Sequence, residues 1–272
     1  MPILRTIKKQ GCYVSLNTNG VYLAAHAEDL LECGVDKIIV SLDGPPETHD
    51  AVRGPSFEAL EAGIRKIQEL KRERGLPLPQ LRLQCVISHL NLDRLHDTVE
   101  AAKQLGCGEI RFQHPIFTYS KDACVISKGL KDTLSRFDMS RPSKQWIDVT
   151  GDAVQDVIMQ LVAAADKEVK IAFEPDVASR DVVGYYDDAE YPFPDLCLSP
   201  WRRMDVSPFG EMGPCQGVYL GQFPAVEPDA CWNSPEFRSL RRQMIDGGLF
   251  GFCNRCCHRE YRAPRMLGLG IS

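Results

Sequence analysis

The chain has 272 residues, 44% of them hydrophobic and 25% charged, with a net charge of −5; this is globular composition and excludes disorder as the default. No long Lys/Arg run offers a phosphate backbone electrostatic help, so nucleic acid is not an expected partner. No apolar stretch approaches the roughly 20 residues a membrane helix needs, and MPILRTIKKQG has neither the apolar run nor the cleavage site of a signal peptide, which together predict a cytoplasmic protein without a membrane partner.

From residue 13 to 126 short apolar runs alternate with amphipathic stretches, the pattern of an α/β fold. YVSLN (13–17) reads as a strand ending in Thr18-Asn19-Gly20, 24–33 as a helix, and KIIVSL (37–42) as a buried strand ending in Asp43-Gly44-Pro45-Pro46. Residues 57–74 carry Leu60, Ile64, Ile67 and Leu70 at helical spacing; LRLQCVI (81–87) is the next strand, 91–105 the next helix and EIRFQH (109–114) the next strand. Near-continuous apolar strands joined by helices predict a parallel sheet covered on both faces, open or closing toward a barrel. Residues 115–150, with Arg136, Arg141 and Lys144, read as an irregular excursion; 152–165 is helical again and VKIAFEP (169–175) is a fifth strand.

Three segments follow from this: a barrel-like part at 1–175, an acidic, tyrosine-rich connector at 176–196 and a small module at 197–272. The connector reads as a solvated linker or, alternatively, a substrate-facing loop. In the module, 202–207 and 212–216 flank Pro208-Phe209-Gly210 as a hairpin, and Ser234 caps a helix over 235–245 with Pro235 in its first turn.

Eleven cysteines require an explanation other than disulfides in a reducing compartment. Cys12, Cys33, Cys85, Cys107 and Cys124 stand singly among apolar neighbours and read as small buried hydrophobes, as does Cys231 before Trp232. Cys197 and Cys215 flank the hairpin, whose arms bring them together, and Cys253 with Cys256 forms a C-x2-C whose two thiolates can converge on one centre from a single turn. Two such pairs suit a tetrahedral zinc or an iron–sulfur cubane, and spacing alone does not choose. A redox C-x-x-C would want a thioredoxin-like βαβ context. A simple c-type haem site is excluded because Cys257, not a histidine, follows Cys256; Cys257 and His258 stay open as substitute ligands.

The stretch C-x12-G-x4-C (Cys197, Gly210, Cys215), followed by CWNSPEFRSLRRQMIDGGLFGFCNRC, resembles the SPASM auxiliary-cluster module of radical S-adenosylmethionine (radical SAM) enzymes. Upstream, SLNTNG (15–20), VSLDGPPETHDAVRG (40–54) and CVISHLN (85–91) resemble successive strand ends of the radical SAM partial (β/α) barrel. The resemblance implies a reduced [4Fe-4S] cluster that cleaves S-adenosylmethionine to a 5′-deoxyadenosyl radical, with Ser41 and Asp43 near that cofactor and Thr18 and Asn19 at the neighbouring strand end. It assigns Cys197, Cys215, Cys253 and Cys256 to one auxiliary [4Fe-4S] cluster, a peptide or small-molecule substrate, and a reductant protein such as a flavodoxin or ferredoxin. Full cysteine ligation points that cluster to electron transfer or structure.

The family's C-x3-C-x2-C loop and GGEP-like second strand are not in this sequence. By the resemblance, the chain starts at the helix before the third barrel strand, with Ile3, Leu4 and Ile7 as its apolar face. The favoured expectation is a truncated enzyme that exposes a raw sheet edge and does not cleave S-adenosylmethionine alone. The alternatives are a non-catalytic single-cluster electron-transfer or docking protein and a structural zinc-binding α/β protein.

Overall fold

The structure, a computed structural model, describes residues 1–117, 136–137, 147–194, 196–215 and 218–261. Cys124, Gln216, the side chains of Arg136, Arg141 and Lys144, and the residues after Tyr261 lie outside that description. The chain divides into two compact units, Met1–His114 with Asp152–Glu174, and Pro115–Gly151 with Pro175–Ser272.

In the first unit β1 (Ser15–Thr18), β2 (Lys37–Ser41), β3 (Gln80–Val86), β4 (Glu109–Gln113) and the strand Lys170–Glu174 form a five-stranded parallel sheet in that order. Helices α2 (Leu23–Glu32), α4 (Phe57–Glu73) and α5 (Leu95–Gln104) fall where the apolar periodicity placed them. One was not expected: α3 (Pro46–Arg53) begins on the second proline of Asp43-Gly44-Pro45-Pro46, since proline suits a first helical turn. Helix α1 (Pro2–Lys9) buries none of its residues; Ile3 is 74% exposed. It is held by charge, Lys8 Nζ lying 2.6 Å from Asp36 Oδ2, which also accepts the Val14 N–H at 2.7 Å. Among the described residues β1 pairs only with β2 and Lys170–Glu174 only with β4, so both edge strands have one neighbour.

The parallel sheet expected from the strand–helix alternation is present, and its two faces differ in character. Side chains alternate along a strand, and here the alternation is chemical. Ile38 and Val40, Leu83 and Cys85, and Ile110 and Phe112 are buried on one face. The other carries Asn17, Ser41, Arg82, Gln84, Arg111, Gln113 and Glu174, joined in part by Gln84 Nε2 donating to Gln113 Oε1 at 2.5 Å and Arg111 Nη1 3.4 Å from Glu174 Oε2. A polar face of this kind suits a ligand.

The second unit is antiparallel. Asp205–Val206 and Gly221–Gln222 flank Glu211–Gly213 in a three-stranded sheet, confirming the hairpin around Pro208-Phe209-Gly210. Ser234 caps Pro235–Gly247, its side chain accepting the Phe237 N–H at 3.2 Å. Met212, Val218, Leu220, Cys231, Phe237 and Leu240 form the small core, so Cys231 is the core residue its isolation suggested. Cys33, Cys85 and Cys107 are buried as well, whereas Cys12 is exposed, against expectation: it follows the turn after α1, a helix with no buried residue.

The solvated-linker reading of 176–196 is also corrected. Val182–Asp187 is helical, with Tyr185 and Tyr186 fully buried. Tyr185 stacks edge-on against Phe117, Tyr186 and Tyr261 with centroids 5.2–5.7 Å apart. The acidic residues that dominated the reading, Asp187, Asp188 and Glu190, are the exposed ones.

Candidate functional site

Cys197, Cys215, Cys253 and Cys256 line a single cavity in the second unit. Each reaches it by a different device. Cys197 precedes the short helix Ser199–Arg202, and its thiol donates to the His258 carbonyl at 3.5 Å. Cys215 leaves the hairpin through a bridge to Val218. That return is tight: a Cβ on Gly213 would stand 1.7 Å from the Val218 carbonyl oxygen, so only glycine permits it. Gly210, at φ +86°, makes the hairpin turn. Cys253 closes a 3₁₀ turn (Gly251–Cys253), and the Cys256 N–H donates to the Cys253 carbonyl at 3.2 Å, folding the C-x2-C into one knuckle.

The rest of the cavity wall is largely apolar, including Pro200, Val218, Leu240, Met244 and Phe250. Burial and the neighbouring Cys253, Cys256 and Cys197 thiols push the Cys215 thiol well above its ordinary range. Four thiols in one low-dielectric space do not ionise together unless cationic metal lies among them. A cluster that takes one thiolate at each of several irons fits this donor set. Among the described residues no group of three or more His, Cys, Asp or Glu side chains is placed to hold a single metal ion. His258 lines the same cavity, but its ring faces Arg203, whose Nη1 lies 2.6 Å from Nε2. Cys257 is not among the cavity's lining residues.

In the first unit Thr18, Asn19, Ser41 and Asp43 stand at or just past the C-terminal ends of adjacent strands β1 and β2. Thr18 Oγ1 accepts the Gly20 N–H at 3.1 Å and Asn19 Oδ1 the Val21 N–H at 3.2 Å, which shapes the β1 turn. Asp43 is 1% exposed: Oδ1 accepts the Val86 N–H at 3.0 Å and Oδ2 pairs with Arg53. Around it lies a network that sequence reading did not single out. The Asp43 N–H donates to His49 Nδ1 at 3.2 Å, so His49 carries its proton on Nε2, 3.1 Å from Ser56 Oγ, whose own hydroxyl donates to the Gly54 carbonyl. Burial lowers the His49 pKa and keeps that ring neutral. Buried Asn91 donates to the Asp43 and Val86 carbonyls at 3.0 and 2.9 Å.

This network ties the ends of β2 and β3 together. Asp43→Ala should lower stability by about 2–3 kcal/mol, by stranding a backbone N–H and the half-buried Arg53 guanidinium, while Asp43→Asn, which keeps the Val86 bond, should cost less. Urea unfolding checks this, and an Asp43→Ala protein as stable as the parent would deny the bracing role.

Two family models match the chain: the radical SAM superfamily over residues 2–102 and the SPASM iron–sulfur cluster-binding domain over 197–257. The chain belongs to the radical SAM superfamily and carries a SPASM domain. It is similar to the PqqA peptide cyclase of Ruegeria pomeroyi, at 27% identity over 79% of this chain and 50% of that protein. Its fold matches Streptococcus suis SuiB with a TM-score of 0.59 at 10% identity, over 94% of this chain and 58% of that one. Structures of SuiB bound to S-adenosylmethionine and to its precursor peptide SuiA both give 0.56, at 12% and 11% identity, each covering 94% of this chain and 56% of that one. The chain thus spans about half the length of this curated relative.

The SPASM match covers all four cavity cysteines, and the radical SAM match covers the β1 and β2 strand ends and the whole Asp43 network. His49 and Arg53 lie inside VSLDGPPETHDAVRG and Asn91 ends CVISHLN. The signal for them was therefore in the motifs, but their roles depend on the unexpected helix α3, which turns His49 and Arg53 back toward Asp43.

Proposed function

We propose that Cys197, Cys215, Cys253 and Cys256 hold one auxiliary [4Fe-4S] cluster that passes electrons in a radical SAM reaction on a peptide. The observation that carries this is the convergence of the four thiols on one apolar cavity within the SPASM match. The peptide is supported by the similarity to PqqA peptide cyclase and to the peptide-bound SuiB structure. When bound, the cluster would store one electron, and S-adenosylmethionine, cleaved by a separate reduced [4Fe-4S] cluster whose C-x3-C-x2-C ligands are not in this sequence, would supply the 5′-deoxyadenosyl group that abstracts hydrogen.

The chain's own residues do the rest. The four thiolates exclude water and exogenous ligands from the cluster, which favours electron transfer over direct substrate binding. Thr18, Asn19 and Ser41 present polar groups toward S-adenosylmethionine at the strand ends, and Asp43 holds that edge in place. A flavodoxin- or ferredoxin-type reductant supplies electrons. Among the described residues no helix is long and apolar enough to cross a membrane.

Anaerobic reconstitution tests the cluster. The expected result is a brown protein with about four irons and matching sulfide per chain. Zinc without sulfide would establish a structural zinc domain instead.

A further inference from the structure

Cys197 and Met244 line the thiol cavity on one side and, on the other, an open groove shared with Trp201, Ile245 and Leu249. Trp201 is 40% and Ile245 70% exposed, an unusual display of large apolar side chains on a small polar module. Ile245 also belongs to the adjoining surface hollow, which is lined by Arg238, Arg241 and Arg242 and a single acid, Asp246. These residues recur three and four apart on the helix Pro235–Gly247, so they share one face. Arg241 fixes that face to the groove: its Nε donates to the Pro200 carbonyl, beside Trp201, at 2.8 Å, and its guanidinium lies 4.6 Å over the Trp232 ring. In a chain of net charge −5, this is a local cationic rim around an apolar floor.

We propose that this groove is the docking face for a small acidic electron-carrier protein of the flavodoxin or ferredoxin class, an inference that rests on the cluster reading above. Charge complementarity selects the partner, because clustered arginines attract an acidic surface and repel a basic one. The floor selects the function. A thiolate that ligates the cluster on its inner side and faces the groove on its outer side gives the shortest covalent path between carrier and cluster. One electron leaves the carrier and enters the cluster, and no bond is made or broken.

The test uses the full chain, anaerobically loaded with cluster, and reduced flavodoxin at low salt, with bleaching of the cluster absorbance as the readout. Arg238→Glu combined with Arg242→Glu should slow the flavodoxin rate by about tenfold or more, and added salt should erase the difference. Ile245→Asp should slow it as well. Dithionite, which needs no docking face, should reduce all variants at the parental rate. Iron and sulfide assays on the same preparations separate the two ideas. If the parent protein takes up no cluster, the cluster reading falls and this proposal with it. If every variant is loaded and the charge-reversed protein accepts electrons from flavodoxin at the parental rate, the docking face is overturned while the cluster stands.

Discussion

Alanine at Cys215 or at Cys253 should abolish the brown absorbance and bring iron and sulfide close to zero after reconstitution. The two residues come from different elements, the hairpin and the knuckle, so each tests a different half of the ligand set. Neither change should unfold the metal-free protein, because both side chains only flank the small core and lose a single sulfur. Cys231→Ala is the matched control. Its sulfur is buried in that core, 2.7 Å from where a Cβ on Gly221 would stand. It should cost about 1–2 kcal/mol of stability and leave the cluster in place. Cys257→Ala should also retain the cluster, since Cys257 is not one of the cavity's lining residues. Loss of absorbance in Cys257→Ala with retention in Cys253→Ala would transfer the ligand role to Cys257.

The parts of this protein legible in its sequence are those set by local periodicity. Leu60, Ile64, Ile67 and Leu70 announce α4 because their spacing buries one stripe, and all four are buried. Ser234-Pro235 marks a helix start because cap chemistry is local. The four cavity cysteines were legible through their pairing and motif. What escaped was decided by distant contacts. The alternation of Arg82 with Leu83 and of Arg111 with Phe112 distinguishes the two faces of the sheet, but a dense apolar run masks it until the strands are placed in register. Asp43 looks like a ligand or a turn former, and only the Val86 N–H, brought in by β3, identifies it as a brace. Tyr185 and Tyr186 were read by their acidic neighbours, although their burial depends on Phe117 and Tyr261, remote in sequence.

Arg255 was not singled out at all, and its removal should be the most damaging single change in the SPASM unit. It sits inside the C-x2-C knuckle, 1% exposed, with backbone φ +54°, a region that side chains other than glycine seldom adopt. Its guanidinium donates to the carbonyls of Tyr185, Gly184 and Asp188 at 2.6, 3.1 and 2.6 Å, and to Asn254 Oδ1 at 2.5 Å. It also lies 5.3 Å from the Tyr185 ring centroid and 4.9 Å from that of Phe193. Three carbonyls at the end of the helix Val182–Asp187 thus share one buried fork as a common donor. Arg255→Ala would remove that shared donor, leaving the Gly184 and Asp188 carbonyls only the long bonds from the Asp188 and Tyr191 N–H groups at 3.3 Å, and would open a cavity among the rings, an expected loss of about 3–5 kcal/mol, comparable with the whole stability of a modest domain. Arg255→Lys keeps the charge but not the planar fork and should fall between. Arg255→Gly loses the same contacts yet accepts the positive φ, so it should be more stable than Arg255→Ala by about 1 kcal/mol. That difference, read from urea midpoints, separates backbone strain from guanidinium bonding. If Arg255→Ala unfolds at the parental midpoint, the buried fork does not hold the knuckle to the tyrosine helix.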